Sequence, residues 1–155
     1  MDEPAVQDRY APQAICFGCG PANEKGLRIK SRWEGDRFVA RFRPQPHHAA
    51  FPGVLNGGIV GALLDCHSNW CALTTLMRER KLAEAPSTVT AEFHVKLARP
   101  TPMDAEVLVV ARPVSVEGDK VTVEAQLEAL GKVTARCTGV FVAVGPGHPA
   151  YHRWS

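Results

Sequence analysis

Apolar and polar residues alternate with a period of two from Leu27. Leu27, Ile29, Ser31 and Trp33 take one phase and Arg28, Lys30 and Arg32 the other, which predicts a strand with one buried face. Glu34-Gly35-Asp36 reads as a turn. Phe38, Ala40 and Phe42 then resume the inward phase against Arg37, Arg41 and Arg43, with Val39 out of step, and the pair predicts a hairpin. The period next changes to 3.6. Ile59, Leu63, Cys66, Trp70, Leu73 and Met77 step by four and three, one apolar stripe of a helix of about 22 residues from near Asn56 to near Arg80. Asn56 is a good N-cap type, and Arg78, Arg80 and Lys81 gather where the helix dipole favours cations. After Pro86 the period of two returns. Strands are expected over Val89–Leu97, 104–116, Val121–Ala129 and Lys132–Val144, with turns at Glu117-Gly118-Asp119 and Gly131. The last strand is apolar on both phases towards its end, as a central or interface strand is.

The order is two strands, one long helix, then four strands joined mostly by tight turns. One helix cannot cover a flat six-stranded sheet. The expected fold is therefore α+β, a curved antiparallel sheet of about six strands wrapped around one long helix. Residues 1–26, with Pro4, Pro12, Pro21, Gly18, Gly20 and Gly26, read as an irregular N-terminal arm; 27–145 form the domain; 146–155 form a Pro- and Gly-rich C-terminal tail. Pro44 to Pro52 reads as a loop.

A chain of 155 residues with 45% hydrophobic and 22% charged residues suits one soluble domain. Basic residues number 18 and acidic 16, too even a balance to argue for a nucleic-acid surface. No apolar run approaches the roughly 20 residues that cross a bilayer. The start Met-Asp-Glu-Pro has no basic or apolar leader region, so no secretory signal is expected. Five cysteines without an export signal read as reduced thiols of a cytoplasmic protein.

The helix entrance carries the first candidate chemistry. Gly57, Gly58 and Gly61 fall in its first turn and a half, although glycine costs about 0.5–1 kcal/mol against alanine there. Two compatible readings stand: close packing against another backbone, or free N–H groups aimed at a ligand oxygen. Asp65 lies about 80° around the helix from Gly57, near Gly61, Ser68 and Ala72 and away from the apolar stripe. It reads either as a solvated surface carboxylate or as a partly desolvated one on a strip of small residues that admits a second helix or a ligand. Gly57 and Asp65 are about 12 Å apart along the axis, too far to act together on one carbon. Two such helices packed antiparallel would bring Gly57 of one copy near Asp65 of the other, a composite site at a two-fold interface.

Cys16-Phe-Gly-Cys19 supplies two thiolates where a structural zinc wants four ligands. It reads as a pair of small residues packing the arm, with zinc as the alternative, His47 and His48 completing the set. Cys66 and Cys71 read as inert core thiols. His47 and His48 read as an exposed loop pair or as the rim of a substrate channel. Lys96, Arg99, Arg112, Lys132 and Arg136 are strand cations, most of them expected on solvated faces.

The segment Gly53 to Asp65, the single long helix and the strand ending Arg99-Pro100-Thr101-Pro102 resemble the hotdog-fold acyl-CoA thioesterases, in particular the phenylacetate-pathway-like branch related to 4-hydroxybenzoyl-CoA thioesterase. That branch carries a His-Gly-Gly entrance with an Asp nine residues after the His; Asn56 and Asp65 keep the spacing, and Thr90 stands nine residues before Arg99, where some members carry a Thr. The resemblance covers roughly residues 16–144. It implies hydrolysis of an acyl-CoA thioester by a homodimer or dimer of dimers, with no cofactor, no nucleic acid and no membrane. It further implies that the Gly57 N–H polarises the thioester carbonyl, that Asp65 of the partner copy acts as general base or nucleophile, and that Thr90 orients the water. Gly58, His48 and Arg99 fall to substrate binding. Asn56, in place of His, donates a hydrogen bond but carries no proton. That substitution keeps open a non-catalytic acyl-CoA-binding protein, and the Cys16/Cys19 pair keeps open a zinc-bearing interaction module.

Overall fold

A computed structural model describes residues 3–155. In chain order the elements are α1 (Val6–Tyr10), β1 (Ser31–Glu34), β2 (Arg37–Phe42), a 3-10 turn (Pro46–His48), β3 (Ala49–Phe51), β4 (Val54–Leu55), α2 (Gly57–Arg80), β5 (Thr88–Leu97), β6 (Val107–Glu117), β7 (Lys120–Ala129) and β8 (Lys132–Ala143). Six strands form one antiparallel sheet in the order β1-β2-β6-β7-β8-β5. β5, β6, β7 and β8 all contact α2. This is the hotdog architecture that the periodicity and the resemblance lead one to expect. Among the described residues no helix is long and apolar enough to cross a membrane.

The inward phases of β1 and β2 are those read from the sequence. Val121, Val123 and Leu127 of β7 are buried, as are Phe38 of β2 and Phe141 of β8, in one core with Leu63, Leu64, Leu73 and Leu76 of α2. Apolar burial of this kind is the main driving term of folding. β7 and β8 are joined by Leu130 and Gly131, both at positive φ, the two-residue connection whose twist matches the flanking strands. α2 begins at the cap Asn56, whose side chain accepts from the Ile59 N–H, and ends on Lys81 in the left-handed conformation.

Three expectations change. The expected loop between Pro44 and Pro52 holds a 3-10 turn and the short β3–β4 hairpin, too brief to show a period. The arm is not merely irregular: it contains α1, and Ala5, Gln7, Ala11, Ala14 and Cys19 are buried. The strip of small residues on α2 is not open along its length. Every residue from His67 to Met77 is buried, Ser68 and Ala72 completely so within the chain. The sheet covers part of the helix. Arm and tail cover more: a Cβ on Gly18 would stand 2.4 Å from Cys66 Sγ, and the Trp154 ring lies 4.8 Å from that of Trp70.

A buried hydrogen-bond chain ties arm, sheet and helix together. Gln7 Nε2 donates to Ser31 Oγ (2.9 Å), and Gln7 Oε1 accepts the Ser31 N–H (2.9 Å). Ser31 Oγ meets His67 Nδ1 (2.8 Å), and His67 Nε2 meets the Phe38 carbonyl (2.8 Å). A carbonyl only accepts, so Nε2 carries the proton and Nδ1 accepts from Ser31. The ring is neutral, and burial pushes its pKa down to about 4.

Candidate active site

Asp65 projects from the third turn of α2 and is half-buried. Its Oδ1 accepts the Thr90 Oγ1 hydrogen bond at 2.7 Å. Burial raises its pKa above the usual carboxylate range, against the Thr90 bond, which lowers it. A carboxylate set this way is a stronger base than a solvated one.

How Thr90 gets there is not visible in the alternation. In sequence it shares the polar phase with Glu92, His94 and Lys96. In the structure β5 carries a bulge: Thr90 pairs with Phe141, Glu92 with Val140, and the register shifts between Thr90 and Glu92. The extra residue, Ala91, reverses the phase. Thr88 and Thr90 face inward before it; Val95 packs on the core after it. Thr90 therefore reaches Asp65 within one chain, and its hydroxyl donates to the carboxylate.

Asn56, Gly57 and Gly58 are exposed at the helix entrance. Asn56 Oδ1 is used in the cap, accepting the Ile59 N–H at 3.1 Å, which leaves the Nδ2 amide as a donor. The Gly57 and Gly58 N–H groups have no acceptor among the described residues, as expected of a first turn. Space is tight around both. A Cβ on Gly57 would come 3.3 Å from Leu97 Cδ1, and one on Gly58 would come 2.9 Å from Asn56 Oδ1. The far end of β5 thus abuts the helix entrance, with Arg99 exposed two residues beyond Leu97.

His48 supports this entrance from behind. Its carbonyl accepts the Asn56 N–H at 3.0 Å. Its ring is buried beside Phe42, where Nδ1 accepts the Gln45 N–H at 2.9 Å. That bond needs a neutral ring, and burial, then His47, push the His48 pKa below its usual value. A folded pKa below the unfolded one, about 6.5, means the unfolded chain takes up more protons on acidification. The stability is complete above about pH 6.5 and is lost as pH falls towards the folded value. The gap in melting temperature between wild type and His48→Phe should therefore be wider at pH 7.5 than at pH 5. An equal gap at both would remove the neutral ring from this account.

Of the strand cations, Arg112 is paired with Glu124 at 2.8 Å and Arg136 bonds Gln126 at 3.1 Å. Cys16 and Cys19 lie beside Cys66, not beside His47 and His48. Cys66 is thus no plain core thiol, and no local spacing could join it to a pair so far back in the chain.

No known protein-family profile matches the chain. The curated acyl-coenzyme A thioesterase THEM4 of Bos taurus is 23% identical over 150 residues; the match covers 94% of this chain and 58% of that protein's length. The PaaI protein of the E. coli phenylacetic acid degradation operon shares the fold at a TM-score of 0.64 and 12% identity, over 77% of this chain and 81% of that one. A thioesterase superfamily protein of Shewanella loihica PV-4, solved as a crystal structure, superposes at a TM-score of 0.66 with 34% identity over 81% of this chain and 98% of its own. With so full a match at that identity, on a fold whose long helix carries the glycine entrance and the Thr90-held carboxylate, the chain belongs to the thioesterase superfamily.

Proposed function

We propose that the protein is a cytoplasmic acyl-CoA thioesterase that works as a dimer or a dimer of dimers, with a composite site at the subunit interface. The single observation that carries the reading is the half-buried Asp65 carboxylate, fixed on one oxygen by Thr90. Its other oxygen is left to take a proton. The kinship with acyl-coenzyme A thioesterase THEM4 supports the substrate class.

The chemistry follows from the donors and the base. The Gly57 N–H, at the positive end of α2, and the Asn56 Nδ2 amide hold the thioester carbonyl oxygen. Asp65 removes a proton from water as the water oxygen bonds the carbonyl carbon, and negative charge passes to the held oxygen. Collapse breaks the carbon–sulfur bond. Asp65 returns its proton to the departing sulfur, giving a carboxylic acid and free coenzyme A. No further cofactor enters. His48 buttresses the entrance rather than touching substrate, and Gly58 and the exposed Arg99 border it.

Gly57 and Asp65 are separated by eight residues of one helix, about 12 Å. A second copy is needed to bring a donor and a base together. β5 is the sheet edge and exposes Phe93 and Leu97, an apolar edge suited to a partner. Two surface depressions, of about 570 and 630 Å³, are lined by neither Asp65, Thr90 nor Gly57. Dilution should abolish activity in step with loss of the dimer mass by light scattering. A fully active monomer would leave the composite site without support.

The reading is tested by thiol release from a panel of short, long and aromatic acyl-CoAs. Wild type should hydrolyse at least one. Binding of acyl-CoA without release from any member would replace hydrolysis by a binding role. Asn56→Ala should lower turnover by roughly 100-fold or more, since one such donor in a preorganised site is worth about 2.7–4 kcal/mol. It should also cost about 1 kcal/mol of stability through the lost cap. Turnover equal to wild type would make Asn56 a cap only.

A further inference from the structure

We propose that Cys16, Cys19 and Cys66 form a three-thiolate zinc site that fastens the N-terminal arm to α2. The three sulfurs lie within 4.8 Å of one another, and Cys16 Sγ is 3.7 Å from Cys66 Sγ. Zinc–sulfur bonds of about 2.3 Å in a tetrahedron set sulfur atoms about 3.8 Å apart, so an ion seats here with small side-chain rotations. A disulfide would need about 2.05 Å, and all three thiols are free.

The surroundings are built for thiolates. The Cys16–Cys19 turn is closed by the Gly20 N–H donating to the Cys16 carbonyl at 2.8 Å. Within it the backbone N–H groups of Gly18 and Cys19 turn to Cys16 Sγ. The indole N–H of Trp70 is wholly buried, has no hydrogen-bond partner among the described residues, and sits beside Cys19. An unspent donor behind a sulfur is what a metal thiolate uses in its outer shell. Gly18 has no Cβ, which lets the turn press on Cys66: a Cβ there would stand 2.4 Å from that sulfur. The half-exposed Cys16 leaves the fourth position to water. Three thiols and one zinc ion give a tris-thiolate zinc with one water ligand, and three protons pass to solvent. Neither the hydrolytic reading nor Asp65 is needed for this site.

The test uses the full chain, reduced and stripped of metal by a chelator, without substrate. Zinc should bind at one equivalent per chain in competition with a chromophoric chelator. Cobalt in its place should give intense thiolate-to-metal charge-transfer absorption and tetrahedral visible bands. Cys19→Ser should weaken zinc binding roughly 100-fold or more, while Cys71→Ser and Cys137→Ser leave it unchanged. Stoichiometric zinc should raise the melting temperature of wild type and not of Cys19→Ser. Wild type that binds zinc no better than Cys19→Ser, or cobalt spectra without thiolate bands, overturns the site. So does a chain isolated with a Cys16–Cys66 disulfide whose reduction confers no zinc binding. The cobalt spectrum of wild type decides even where a variant fails to fold.

Discussion

Asp65→Asn should lower thiol release from acyl-CoA by about 100- to 10,000-fold, the range a positioned general base supplies, and leave the fold intact. The two side chains have nearly the same shape. Thr90 still donates to the amide oxygen in place of Oδ1, so β5 and α2 keep their link. What is lost is the one group at the site that takes a proton from water, because an amide is no base at neutral pH. Stability should hold or rise slightly, since the ionised carboxylate is partly removed from water and the amide carries no charge to desolvate. Steady-state thiol release and a thermal melt on the same preparation check both halves. More than about a tenth of wild-type turnover, a barrier change under roughly 1.4 kcal/mol, would take Asp65 out of the mechanism.

His67→Leu should be strongly destabilising. The ring joins Ser31 to the Phe38 carbonyl in a fully buried setting and stacks on Phe38 at 4.6 Å. Leucine fills much of the volume but leaves the Ser31 hydroxyl without its acceptor and the carbonyl without the ring donor. Each buried group left so costs about 1–3 kcal/mol. A total of about 2–4 kcal/mol should lower the melting temperature of a chain of this size by roughly 5–15 °C. Gln7→Ala breaks the same chain from the arm side, so the double variant should lose less than the sum of the two. A drop under about 3 °C for His67→Leu would mean the network carries no stability of its own.

Much of this molecule is written in local period. The step of four and three from Ile59 to Met77 marks α2 to within a residue at its start, and the alternations after Pro86 mark four long strands. Asp65 and the glycine entrance were legible because angle and rise on a helix follow from counting. Thr90 entered the site only through the resemblance; the alternation did not place it, because one extra residue at Ala91 reverses a strand's faces and nothing in the local composition announces it. The cover over Cys66 and Trp70 of α2 was hidden for another reason. It is made by arm and tail segments that pack without any period. Cys66 joins Cys16 across fifty positions, a distance over which spacing carries no information.

The tail bears on the order in which the molecule assembles. Arg153 donates to the Thr88 carbonyl at 2.7 Å and Trp154 to the Pro86 carbonyl at 2.9 Å, and Ser87 bonds the Tyr151 carbonyl. These contacts close loops of more than sixty residues, whereas the β6–β7–β8 meander closes over a handful. Chain entropy opposes the long closures first and most. The meander is thus suited to form early as a template, and the beginning of β5, with Thr90 on it, is fastened at the end. The base's hydrogen-bond partner therefore sits on a segment fastened by the tail, and loss of the tail contacts should loosen the start of β5 while leaving the meander in place.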